Sequence, residues 1–297
     1  MTRILLNERL QRGLFFVDGA MGTQLIAAGA PVGCCSDELN ISSPEIVRTV
    51  HQNYLAAGVD AVITNTFGAN GLVLRRHGYA DKAHEINCAG AKLARQVAGP
   101  DKYVLGDIGP CGDFLEPLGM VKEVDLKAAF AEQARGLLAG GVDGFIIETM
   151  TALEEIKVAI EAVQSISDLP ILVSLAYDPA GDAARTMMGV SPAQAVERLA
   201  SLGITALGFN CGTLDMPGYV KLAKEYAQAL TGSGVLLMAE PNAGRPDLEG
   251  DKTVYKLSPE AYAEAMVQIK DAGAAILGGC CGTSPAHLQA AVQTLRR

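Results

Sequence analysis

Two patterns of apolar residues alternate along the chain. The first is a set of short, nearly continuous apolar runs of strand length: Leu14–Asp18, Ala61–Asn65, Tyr103–Asp107, Gly144–Glu148, Ile171–Leu175, Ala206–Asn210, Val235–Glu240 and Ala275–Gly278. Runs of this kind predict strands buried on both faces, as in a parallel sheet. The second is a set of longer amphipathic stretches between them. Pro44–Ala57 follows Ser43 as N-cap and stops at Gly58; Asp81–Val97, Asp125–Leu138 and Ala152–Val163 follow. Ser191–Pro192, Ser258–Pro259 and Ser284–Pro285 each open a further helix, pairing a capping hydroxyl with a residue that has no N–H to leave unpaired. Glycine then recurs where helix gives way to strand, at Gly58, Gly141, Gly203 and Gly273. Eight strand–helix units within 297 residues predict a single-domain (β/α)8 TIM barrel over residues 1–297, with a doubly wound open sheet as the alternative architecture.

Composition narrows the function. Hydrophobic residues make up 49% and charged residues 19%, which suits a large core and excludes a disordered chain. The net charge of −9 repels phosphate backbones, so nucleic acid is not an expected partner. Arg3, Glu8, Arg9 and Arg12 interrupt the first apolar stretch, and no run approaches the roughly 18 apolar residues of a membrane span. A cytoplasmic protein without membrane contact is therefore expected. Its seven cysteines are then read as metal ligands, catalytic groups or core residues rather than disulfides.

In such a barrel, chemistry gathers at the C-terminal ends of the strands. Those ends read Asp18-Gly19-Ala20-Met21-Gly22-Thr23, Thr64-Asn65-Thr66-Phe67-Gly68, Gly106-Asp107-Ile108-Gly109-Pro110, Glu148-Thr149, Ser174, Asn210-Cys211-Gly212, Glu240-Pro241-Asn242-Ala243-Gly244 and Gly278-Gly279-Cys280-Cys281-Gly282-Thr283. Cys211, Cys280 and Cys281 thus arrive at one rim from strands separated by a single neighbour. Zinc favours thiolates in a tetrahedron, and a catalytic zinc keeps three protein ligands and one open position. The plainer reading is of small buried residues beside a Gly-rich turn. Cys34-Cys35 in the first loop, Cys88 inside a helix and Cys111 after the third strand show that a cysteine pair alone does not make a metal site. Asp18 reads equally as a turn residue, and Glu148 as an acid at the start of the next helix.

Together the motifs "DGAMGT", "TNTF", "GDIGP", "NCG", "EPNAG" and "GGCCGT" resemble the homocysteine S-methyltransferase family over nearly the whole chain, and most of all the homocysteine-binding module of cobalamin-dependent methionine synthase. The resemblance implies an enzyme on a (β/α)8 barrel, with zinc held by Cys211, Cys280 and Cys281. It implies that Asp18 and Glu148 hold the ammonium of homocysteine. Gly19, Ala20, Met21, Thr66 and Ser174 would receive the substrate carboxylate or line its pocket, and Asn242 would fill the fourth zinc position before substrate arrives. Asn65, Asp107 and Glu240 are expected to support these groups. None of the histidines (His51, His77, His84 and His287) sits in an Asp-x-His-x-x-Gly corrinoid signature. The methyl donor is then expected to be a small molecule or a corrinoid on a separate protein, and the likeness of "NTFGAN" and "GDIGP" to the cobalamin-dependent module favours methylcobalamin on a separate corrinoid protein, with S-methylmethionine as the alternative. Betaine fits least, since the chain has no Trp to build a cage for a quaternary ammonium. A zinc-thiolate binding protein without turnover is the non-enzymatic alternative.

Overall fold

The computed structural model describes residues 3–250 and 252–296. Eight parallel strands build the sheet: β1 Phe15–Phe16, β2 Ala61–Ile63, β3 Tyr103–Ile108, β4 Gly144–Met150, β5 Ile171–Leu175, β6 Ala206–Asn210, β7 Leu236–Glu240 and β8 Ala274–Leu277. Each strand pairs with its neighbour in chain order from β2 to β8, and β8 pairs with β1, setting Phe15 beside Ile276. β1 is too short to form a regular ladder with β2. The seam is closed instead by a backbone bond from Asp60 N–H to the Phe16 carbonyl (2.8 Å) and by two carboxylates. Asp60 accepts from Phe16 N–H at 2.8 Å, and Asp18 accepts from Ile63 N–H at 3.1 Å. The result is the eight-stranded barrel expected from the alternation, not an open sheet.

Side chains of a strand point alternately to its two faces. The inward set therefore follows from the sequence in steps of two. Phe15, Val17, Ala61, Tyr103, Leu105, Ile146, Leu172, Ala206, Met238 and Ile276 form one apolar cluster in the lumen, closed at the N-terminal end by Leu6 and Leu10 of the helix Leu6–Leu10. Burying each of those two leucines contributes about 1.5–3 kcal/mol. Continuing the same steps upward reaches Asp107 on β3, Glu148 on β4, Ser174 on β5, Asn210 on β6 and Glu240 on β7. The top layer of the lumen is thus polar, and it forms the floor of the site.

Helices pack outside, with boundaries within a few residues of those expected. Pro44–Ala56, Ala83–Ala98, Glu123–Gly140 and Leu153–Gln164 are observed, and Ser191 and Ser258 cap Pro192–Leu199 and Pro259–Asp271 as predicted. Ser43 makes no side-chain capping bond, and Ser284, ahead of the helix Pro285–Leu295, meets His287 Nδ1 at 2.8 Å. Elements not named from the sequence include the helices Met21–Ala27 and Met216–Ala229 and two hairpins above the C-terminal rim, Asp178–Ala180/Ala183–Arg185 and Asp247–Glu249/Lys252–Val254. Among the described residues, no helix is long and apolar enough to cross a membrane.

Candidate metal centre and substrate pocket

Cys211 follows the last residue of β6, while Cys280 and Cys281 lie three and four residues beyond β8. Their sulfurs all lie within 4.8 Å of one another, and Cys211 Sγ and Cys281 Sγ are 3.7 Å apart. A tetrahedral zinc with Zn–S bonds of about 2.3 Å has S···S edges of about 3.8 Å, so this spacing suits one shared ion. Among the described residues this is the one group of three metal-ligating side chains so gathered.

The backbone holds that geometry. Cys211 (φ 53°) and Thr149 (φ 60°) are the two non-glycine residues with positive φ among those described. Such strain, of order 1–3 kcal/mol per residue, persists where the surroundings over-determine it. The Cys211 carbonyl accepts from Tyr219 Oη at 2.7 Å. Gly212 (φ 79°) must be glycine, since a Cβ there would lie 2.0 Å from the Tyr177 carbonyl oxygen. Across the rim, Thr283 Oγ1 donates to the Cys280 carbonyl (2.7 Å) and accepts from Ala20 N–H (3.1 Å), tying the cysteine turn to the first loop.

The three sulfurs compete for negative charge. Hydrogen bonds with Cys211 and Cys281, together with burial, push the Cys280 thiol up. Hydrogen bonds from Cys211 and Cys280 push Cys281 down to about 3. A divalent ion removes that conflict, because a coordinated thiol is deprotonated outright. Asn242 adds to the fit. It is fully buried, and its amide N–H donates to the Gly212 carbonyl at 2.8 Å. Its Oδ1 has no hydrogen-bond partner, and Ala243 N–H next to it binds the Cys281 carbonyl at 3.0 Å.

A cavity of about 520 Å³ opens over the sulfurs. Asp18, Gly19, Ala20, Met21, Thr66, Glu148, Cys211, Cys280 and Cys281 all line it. Asp18 is 1% exposed; its Oδ2 is spent on the barrel seam, and its Oδ1 has no partner. Glu148 Oε2 accepts from Asn210 Nδ2 at 2.7 Å. Burial pushes the Asp18 carboxyl up, with the Glu148 charge adding to it. Glu148 is pushed up to about 7 by burial, against a hydrogen bond with Asp107 that lowers it, and the Cys281 charge raises it a little further. Asp107 and Glu240 are raised by burial and by Glu148; Asp107 Oδ1 and both Glu240 oxygens have no partner. Three of these acids, Asp18, Asp107 and Glu148, line the cavity, and the acceptor atoms left over there suit a cationic group. The other wall is apolar, built from Met21, Ile26, Ile63 and Phe67, with Phe67 41% exposed at the mouth.

Several expectations are refined here. Ser174 does not line the cavity; it is buried beneath and donates to Asn210 Oδ1 at 2.8 Å. The Ala20 N–H is already taken by Thr283, and the Thr66 N–H by the Thr64 carbonyl at 2.9 Å. Cys111 stands apart from the metal-ligating group: its sulfur donates to the Asp113 carbonyl at 3.1 Å. Cys34 is exposed, and Cys35 and Cys88 are half-buried. Asn210 was not singled out in the sequence, although its place two steps along β6 from Ala206 aims it inward.

The profile of the homocysteine S-methyltransferase family matches residues 15–295. The methionine synthase of Mycobacterium tuberculosis is 33% identical over 314 aligned positions, which take in 99% of this chain and 25% of that protein. The Mycobacterium leprae methionine synthase is 32% identical, over 98% of this chain and 25% of its own length. The chain thus spans about a quarter of the methionine synthases it matches. In fold it is similar to the homocysteine methyltransferase MmuM from Escherichia coli in its metallated form, with a TM-score of 0.77, 24% identity and coverage of 98% and 99% of the two chains. It is also similar to a methyltransferase from Methanosarcina mazei, with a TM-score of 0.58, 11% identity and coverage of 95% and 93%. From the profile match across the barrel and the identity to the two synthases, this chain belongs to the homocysteine S-methyltransferase family.

Proposed function

We propose that this chain transfers a methyl group to the thiol of homocysteine, giving methionine, with zinc held by Cys211, Cys280 and Cys281 and with Asn242 Oδ1 as an interim ligand. One observation carries the reading: three sulfurs spaced for a tetrahedral ion share a cavity with two carboxylates suited to an ammonium. Zinc storage would need no such amino-acid site.

An ordinary thiol titrates near about 8.5 and is mostly protonated at neutral pH, yet the thiolate is the nucleophile. Zinc, when bound, supplies a Lewis acid that lets the incoming thiol shed its proton. Three cysteinates outweigh the ion's two charges, and this excess keeps the substrate sulfur electron-rich. The chain's other residues position it. Asp18 Oδ1 and Glu148 take the ammonium, which fixes the direction of the side chain and delivers the sulfur to the cysteines. Met21, Ile26 and Phe67 give the pocket an apolar wall. Methyl transfer is then an in-line displacement that depends mainly on positioning: the sulfur–methyl bond forms as the bond between the methyl and its donor breaks, the donor leaves with that electron pair, and the thiol proton passes to solvent. It needs no general base. The neutral thioether product is a poor ligand and leaves.

The relation to methionine synthases favours methylcobalamin, presented by a corrinoid protein, over S-methylmethionine as the donor. The test is to incubate zinc-loaded protein with homocysteine and methylcobalamin, S-methylmethionine or betaine in turn, and to quantify methionine. Methionine from methylcobalamin supports the reading, and methionine from S-methylmethionine alone moves the donor to the sulfonium. Stoichiometric zinc with no methionine from any donor leaves a zinc-thiolate binding protein.

A further inference from the structure

The amide of Asn210 touches both halves of the site. It is fully buried at the end of β6, immediately before Cys211. Its oxygen accepts from Thr149 N–H at 2.8 Å and from Ser174 Oγ at 2.8 Å. A backbone N–H can only donate, so Oδ1 faces Thr149 and the opposite edge of the amide must carry the hydrogens. That edge has two hydrogens for three acceptors: Glu148 Oε2 and Thr149 Oγ1, each at 2.7 Å, and Cys280 Sγ, which shares one of them at 3.5 Å. One rigid plane thus orients a candidate ammonium carboxylate and a candidate metal thiolate. It also binds Thr149, one of the two residues held at positive φ, and precedes Cys211, the other.

We propose that Asn210 is a positioning residue that couples metal binding to amino-acid recognition. It aims Glu148 at the substrate ammonium and Cys280 at the metal, with Ser174 and Thr149 holding its plane. The proposal rests on the reading that the pocket takes homocysteine. Groups that orient a metal ligand from behind change metal affinity by about 10–100-fold when removed. The same loss at Asn210 is expected to reach the amino-acid site, because its two Nδ2 hydrogens serve both.

The test uses the full chain and two probes. Cobalt(II) alone, titrated in place of zinc, reports the thiolates through its sulfur-to-metal charge-transfer band. Homocysteine against 4-mercaptobutanoate, the same thiol without the ammonium, reports the carboxylate site as a ratio of dissociation constants. Asn210→Leu is expected to weaken cobalt binding at least about tenfold, and to cut the preference for homocysteine by a similar factor. Glu148→Gln lowers the preference by itself, and the double variant is expected to lower it no further, because both changes remove one arrangement. Ser174→Ala, a milder change that leaves Thr149 N–H in place, should move both readouts the same way by less. A general structural role would weaken both thiols equally; an unchanged preference or unchanged cobalt affinity in Asn210→Leu and Ser174→Ala overturns the coupling. If the unmodified protein shows no preference for homocysteine, the ammonium site fails instead, and the cobalt titration still decides whether Asn210 supports the thiolates.

Discussion

Asp18 does two jobs with two oxygens, and Asp18→Asn separates them. The bond from Ile63 N–H to Oδ2 spans 3.1 Å and helps close the seam between β1 and β2, whereas Oδ1 is buried in the cavity without a partner. An asparagine amide can keep its oxygen on Ile63, and it then turns an N–H₂ toward the place the ammonium would occupy. A buried charged acceptor becomes a donor facing a donor. Losing a charge-assisted bond to a desolvated cation costs about 2–4 kcal/mol, which is ~30- to 1,000-fold in affinity. Stability should hold, because the seam bond survives and the cost of burying a carboxylate is relieved. The assay is calorimetric binding of homocysteine and of 4-mercaptobutanoate to zinc-loaded protein, with thermal melting alongside. Homocysteine should weaken by the stated factor, the desamino thiol should bind as before, and the melting temperature should stay near that of the parent. Equal weakening of both thiols, or unchanged homocysteine binding, would refute the assignment of Oδ1 to the ammonium.

Three further outcomes follow from the buried titratable groups. Glu148, pushed up to about 7, is ionised only above that pH, so homocysteine affinity should fall by up to about tenfold per pH unit below 7. Binding of 4-mercaptobutanoate should lack that inflection, and so should Glu148→Gln. His51 is fully buried with neither ring nitrogen partnered, and burial pushes it down to about 4. Below its ordinary value near 6.5 the unfolded chain takes up a proton that the folded chain refuses, so this histidine lowers stability as pH falls. Between pH 7 and 5 the loss is about 2 kcal/mol, and His51→Leu should remove it in paired urea titrations at the two values. Glu240 is raised by burial, so it withdraws stability as pH rises above the range where an unfolded glutamate ionises. Glu240→Gln should therefore stabilise the apo protein more at pH 8 than at pH 5, because it removes the cost of ionising a buried carboxyl; equal melting shifts at both values would contradict this.

How much of this was legible in the sequence depended on which physical signal each feature leaves. Strands buried on both faces leave apolar runs, and all eight were readable; only their ends moved, with β1 shrinking to Phe15–Phe16. The three cysteines were readable because a barrel sends the ends of β6 and β8 to one rim. Asn210 opens the "NCG" motif, in which Cys211 alone drew a role. Its signal is period two: Ala206, Gly208 and Asn210 share one face, and the inward set continues from apolar to polar at the same height on β3, β4, β5 and β7. Asp18 lies past the end of β1, so strand parity does not place it; a hydrogen bond across the seam does. The two hairpins over the rim escaped notice because they lack alternating apolar residues. Leu248 is 78% exposed, and the turns at Gly181 and Gly250 were their one local cue.

X-ray absorption at the zinc edge asks the central question most directly. The protein loaded with one equivalent of zinc should show three sulfur neighbours and one oxygen or nitrogen, and adding homocysteine should replace the lighter atom with a fourth sulfur. Fewer than three sulfurs before the thiol arrives, or an unchanged coordination sphere after it, would contradict the account.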